Sequence, residues 1–129
     1  WGFFSPDAHG NAVKAYVTTA GTAGSPGRAL GTTIQAPDLR SFFLMSYGQF
    51  SGRNGNFNYG LGLLITHYFF HMEGGGKAQR MIQFLQGLHQ GKHGEEALKP
   101  LLGGGDYAKL EKEISAAWSR LGVQIQFGR

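Results

Sequence analysis

From residue 57 onward, apolar side chains return every three or four positions, the spacing of helices that bury one face. Ala78, Met81, Ile82, Leu85 and Leu88 obey the i, i+3, i+4, i+7 rule while Gln79, Gln83 and Gln86 fall off that face, so a helix is expected over 77–90 with Gly91 closing it. Tyr107, Leu110, Ile114, Ala117, Trp118 and Leu121 draw a second stripe, opened by Asp106 as N-cap and stopped by Gly122. Between them Glu95 to Leu102 reads as a short helix, with two acids in its first turn and Pro100 limiting its length. The stretch 57–73 differs, because Tyr59, Leu61, Leu63, Leu64, Ile65, Tyr68, Phe69, Phe70 and Met72 leave it no polar stripe. Such a helix belongs at the centre of the packing. Gly60 and Gly62 are poor helix formers, each about 1 kcal/mol worse than Ala, so a neighbour is expected against its backbone.

The first half is less regular. Pro37-Asp38 opens a helix whose apolar face is Leu39, Phe42, Phe43 and Met45 to Tyr47, with Gly48 as its end. Ser51 to Asn58 is a turn-rich loop in which Asn56 or Asn58 caps the next helix. Residues 1–36 read as loop-rich: Ala12 to Thr19 fits a short strand or a helical turn, Gly21 to Gly31 is a loop, and Thr32-Thr33-Ile34 is a weak strand candidate. Val123, Ile125 and Phe127 alternate with Gln124 and Gln126, a short strand or an extended tail. The predicted fold is therefore mainly α. It is an irregular bundle of about five helices with a loop-rich segment at 1–36, a helical domain at 37–129 and one short strand pair, all within a single domain.

Composition adds limits. At 129 residues the chain is one domain's worth. Its 22 glycines cluster at 21–31, 48–62, 74–76 and 103–105 without a fixed period, so they punctuate elements and imply no repeat. The formal charge is +4, but the twelve Lys and Arg are scattered and never adjacent, which argues against nucleic acid and anionic membranes as partners. Without cysteine, disulfides and thiolate chemistry are excluded. Tyr59 to Phe70, the longest apolar stretch, is too short to span a bilayer. Trp1-Gly2-Phe3-Phe4 reads like the interior of a domain, so the chain is expected to be a fragment of a longer protein.

His67 and His71, one helical turn apart, point the same way and could share a Zn²⁺. That spacing is half of the H-E-x-x-H signature, but position 68 is Tyr where the catalytic Glu would stand. Glu73 is turned about 200° around the helix from His71 and cannot complete the site from the same face. His9, His89 or His93 could supply a third ligand only through the fold. No G-x-S-x-G elbow is present, Gly103 to Asp106 is not followed by the G-K-[ST] of a phosphate loop, and Gly74-Gly75-Gly76-Lys77, which opens a helix and could hold an anion there, reads as an interhelical linker.

Three stretches carry a resemblance. Tyr59 to Phe70 is similar to a "Y-x-x-x-x-x-L-v-x-[FY]-L" helix, Met81 to Gly91 to an "l-x-x-L-x-x-G" helix, and Ala97 to Trp118 to a Gly-Asp turn followed by a helix with a late Trp. Together, residues 57–121 resemble the C-terminal helical region of gluzincin-type, peptidase-MA-like zinc metallopeptidases, a group with many bacterial members. In those families the H-E-x-x-H helix and a third ligand Glu lie upstream, and this sequence contains neither. The resemblance implies a non-catalytic portion that walls the substrate cleft of a zinc-dependent peptidase or degenerate relative, with Tyr59 as the cleft-facing candidate. It places zinc in the parent protein, bound by the upstream catalytic part of the same chain, and puts His67 and His71 on the wrong helix to be its ligands. No cofactor is expected in this segment. The alternative is a stand-alone helical module whose glycine-separated helices and aromatics offer a groove to a peptide or protein.

Overall fold

The computed structural model describes residues 6–22, 25–52, 54–73 and 76–128. In chain order these form α1 (Pro6–Thr18), β1 (Gly21–Thr22), β2 (Ser25–Pro26), β3 (Thr33–Ala36), α2 (Leu39–Phe43), α3 (Tyr47–Phe50), α4 (Gly55–His67), α5 (Gln79–His89), α6 (Gly94–Leu102), α7 (Tyr107–Ser119) and β4 (Gln124–Phe127). A π-helical turn, Tyr68–Met72, prolongs α4. The architecture is mainly α, as the periodicity predicts. Trp1 to Phe4, Gly74 and Gly75 lie outside the described residues.

The α4 helix runs through the middle. Leu61, Leu64, Ile65, Tyr68 and Phe69 from α4 and its π turn are buried with Leu110, Ile114 and Trp118 of α7 in one cluster that also takes Val17, Leu39, Leu98 and Leu101. Trp118 is fully buried, and its indole Nε1 donates to the Leu64 carbonyl at 2.8 Å. That bond gives α7 a fixed register on α4 and supplies a donor to a carbonyl just ahead of the π turn, where the regular ladder changes its spacing.

Helix ends follow local chemistry. Asp38 and Asp106 accept from the backbone N–H of Ser41 and Lys109, as the sequence predicts. Gly91 and Gly122 close α5 and α7 at φ +91° and +87°, with Lys92 N–H on Gly87 O and Val123 N–H on Trp118 O. These are Schellman closures, and the left-handed backbone they require is open to glycine at little cost.

The strand candidates at Thr32 to Ile34 and Val123 to Phe127 are strands, and they pair with each other in parallel, Ile34 beside Ile125 and Gln35 beside Gln126. The two isoleucines are buried, and the two glutamines are exposed and hydrogen-bonded to each other. The period-2 alternation thus decides which face meets the core.

Several expectations are corrected. Residues 6–18 are a helix, so the N-terminal third holds less loop than predicted. The helix expected from Pro37 to Gly48 is two short ones, α2 and α3, and Gly48 lies inside the second. Neither Asn56 nor Asn58 caps α4, whose cap residue is Asn54 without a side-chain cap bond. On α5 the packed row is Met81, Phe84 and buried Gly87, while Ile82, Leu85 and Leu88 are exposed. Nor is α4 enclosed all round: Tyr59, Leu63 and Phe70 remain exposed along one side.

Candidate functional site

The open side of α4 is the floor of a groove. Tyr59, Leu63 and Thr66 follow one another at i, i+4 and i+7, the spacing of a single helical face. Tyr59 is 43% exposed and Leu63 40%, and both line a cleft of about 720 Å³. Phe42, Phe43 and Met45 from α2 and the turn after it, with Phe50 of α3, make one wall. Tyr16 of α1 and Arg28 stand at the other side.

This wall is built from short elements, which need outside support. The five-residue α2 is held at its N-terminus by two carboxylates. Asp38 caps it, and the buried Glu111 of α7 accepts from Leu39 N–H at 2.9 Å. Negative charge suits that end of a helix. The α3 helix is tied to α4 by Asn58, whose Nδ2 donates to Phe50 O at 3.0 Å. The rings then pack at an angle: Phe42 on Phe50 with centroids 5.9 Å apart, and Phe50 edge-on to Tyr59 at 4.8 Å.

Arg28 is placed by backbone. Residues 28–31 fold back over the end of α1, and the N–H groups of Arg28, Leu30, Gly31 and Ala29 donate to the carbonyls of Tyr16, Val17, Thr18 and Thr19. These are carbonyls that a helix end leaves without internal partners. Asn56 then grips Arg28 twice, donating to its carbonyl at 2.9 Å and accepting from Nη1 at 3.1 Å. The guanidinium carbon lies 5.6 Å from the Tyr16 ring centroid and 5.5 Å from that of Tyr59, within cation–π range of both.

The histidine pair sits elsewhere. His67 is only 7% exposed, with its ring 4.7 Å from His71 and 5.4 Å from Trp118. Glu73 is engaged by Arg80, whose Nε lies 3.1 Å from its carboxylate and whose Nη1 reaches Glu113 and Leu101 O, so it braces α5 against α7. His89 and His93 are exposed. The side chain of His9 is outside the description. Among the described residues, no three His, Cys, Asp or Glu side chains come together as a metal-holding group. No helix among them is long and apolar enough to cross a membrane.

Of the residues singled out in the sequence, Tyr59 lies in the groove and the His67–His71 pair lies in the packing near α7. Sequence reasoning missed Arg28, which is the one charge in the glycine-rich stretch 21–31 and could have been found on that ground. Comparison with models of protein families, with curated proteins and with solved structures finds no match.

Proposed function

We propose that this chain is a non-catalytic helical module that receives an apolar peptide or protein segment in the groove along α4. One observation carries this reading: the exposed row of the central helix coincides with the aromatic-walled cleft. An apolar face left open where core is expected marks a surface that meets something. A concave apolar site with few polar groups is the usual form of a recognition groove. The phenylalanine wall and the Arg28 rim give the groove a chemistry suited to side chains that are mostly hydrophobic.

A second reading is supported by the resemblance over residues 57–121 and by the position of Tyr59 in the groove. In that reading the groove walls the substrate cleft of a zinc-dependent peptidase or degenerate relative. Zinc and its Glu base then belong to the upstream catalytic part, where a metal-bound hydroxide would be generated. An H-E-x-x-H motif encoded ahead of Trp1 favours this version, and its absence favours the module.

The test common to both is panning of a displayed peptide library on the chain, with Leu63→Lys for counter-selection. Peptides with apolar anchors are expected to be enriched and to bind the variant at least about tenfold more weakly, the equivalent of about 1.4 kcal/mol. If every enriched peptide binds the two chains alike, the groove is not a binding site.

A further inference from the structure

We infer that the groove takes an amphipathic α-helix of a partner protein, one that sets an Asp or Glu side chain against Arg28. This rests on the groove reading above and names the occupant it lacks.

The charge argument comes first. Among the described residues lining the groove, Arg28 is the sole charged side chain, and it makes no ion pair with any described residue. Its Nη1 is used by Asn56, while its Nε–H is buried without an acceptor. A guanidinium is not neutralised by deprotonation, so its charge stays available to an anion. The two tyrosine faces and the Asn56 grip hold it in place beforehand, which reduces the ordering a bound carboxylate would have to impose. Both tyrosines are themselves exposed, Tyr16 at 41%, so an incoming side chain has access from the solvent side.

The form of the occupant follows from what the walls lack. They present apolar side chains of α2, α3 and the turn between them, and the floor is the flank of α4, whose mid-helix backbone groups are spent internally. An extended peptide would lay its N–H and C=O groups across Phe42, Phe43, Phe50 and Leu63, where nothing can receive them, at the cost of their desolvation. A helix brings those groups already paired. The floor also fits one: Tyr59, Leu63 and Thr66 form a ridge, and beside it Gly62 is a shallow notch, with Phe50 Cζ 3.8 Å from where a Cβ would stand. Ridges and notches at this spacing are what helices pack into. From Tyr59 to Thr66 the floor extends about 10 Å, or two turns.

The experiment pans two libraries on the chain, one randomising a face of a stable helical scaffold and one of short linear peptides. Helical clones are expected to dominate the Leu63-dependent binders, with Asp or Glu fixed at one position. On Arg28→Gln a selected helix should bind about tenfold more weakly, and on Arg28→Glu the selection should turn to Lys or Arg. Changing the fixed acid of the selected helix to its amide must reproduce the loss, a check that needs no variant of this protein to fold. Linear peptides that bind extended, or loss of neither kind at Arg28, would overturn the inference while leaving Leu63-dependent binding intact. Self-association of the chain that disappears in Leu63→Lys would also overturn it, by assigning the groove to a second copy.

Discussion

At the scale of single residues, the two glycines of α4 have opposite surroundings. A Cβ on Gly60 would stand 2.8 Å from Leu30 Cδ2, so this glycine admits a neighbour, as its presence in a helix led one to expect. A Cβ on Gly62 would meet nothing closer than Phe50 Cζ at 3.8 Å, an ordinary contact. Gly62→Ala should therefore stabilise the chain, by up to about 1 kcal/mol from helix propensity. Gly60→Ala gains the same propensity but must displace Leu30, and overpacking costs about 1–3 kcal/mol. In denaturant titrations Gly62→Ala is expected to unfold later than wild type and Gly60→Ala earlier than Gly62→Ala. The reverse order would mean that Leu30 yields freely. Gly62→Ala should also narrow the notch in the groove floor and weaken whatever helix binds there. Sequence alone flagged both glycines but could not tell them apart, because the difference lies in Leu30, far from Gly60 in sequence and invisible to local pattern.

At the scale of elements, the long periodic helices were legible and the short or irregular ones were not, for physical reasons. The α7 helix carries a complete stripe and a capping Asp, so its ends and its buried face follow from pattern. The α1 helix buries itself partly by having no side chain: a Cβ on Gly10 would overlap Leu121 Cδ1, so close packing there adds nothing to a hydrophobic count. The α2 helix has its first N–H satisfied by Glu111, 72 residues away. Just ahead of the π turn, Trp118 donates to Leu64 O, again a distant partner. This turn carries a pH dependence. The Tyr68 hydroxyl is buried, and burial first, then the nearby Glu113 carboxylate, pushes its pKa up to about 12; Arg80 opposes this and Glu73 adds to it. Between the ordinary value of 10.0 and about 12, the unfolded chain gives up this proton while the folded chain keeps it. Stability supplied by neutral Tyr68 is thus complete below pH 10 and lost as pH rises through the folded value. Urea midpoints measured from pH 9 to 12 should fall more steeply for wild type than for Tyr68→Phe. Parallel curves would mean that the phenol is reached by water in the native state.

At the scale of the whole molecule, the parallel pairing of β3 with β4 joins residues some ninety positions apart, and every helix from α2 to α7 lies in the connection between them. Each strand was visible as a short alternation, but nothing local says that the two are partners. The pairing matters to the groove because Pro37 and Asp38 alone separate β3 from α2, so the strand anchors the start of the phenylalanine wall. β4 holds β3 through the ladder, through Gly128 N–H on Ala36 O at 2.7 Å, and through Ile125 packed beside Ile34. Ser115 Oγ donates to Ile125 O at 2.9 Å, fixing β4 in turn to α7. Removing residues 124–129 should therefore cost the burial of Ile125, about 1.5–3 kcal/mol, and about 0.5–1.5 kcal/mol for each hydrogen bond lost. That is a large share of the roughly 5–15 kcal/mol by which a domain is stable. Ile125→Ala, which keeps the ladder and empties only the side-chain site, should cost less than the deletion, about 2–5 kcal/mol. If the deleted chain stays folded, it should still lose binding of the peptides selected on the wild-type groove, although none of the described residues among those deleted lines that groove. Folding and binding both unchanged would mean that α2 and α3 hold their wall without the strand, through Asp38, Glu111 and Asn58 alone.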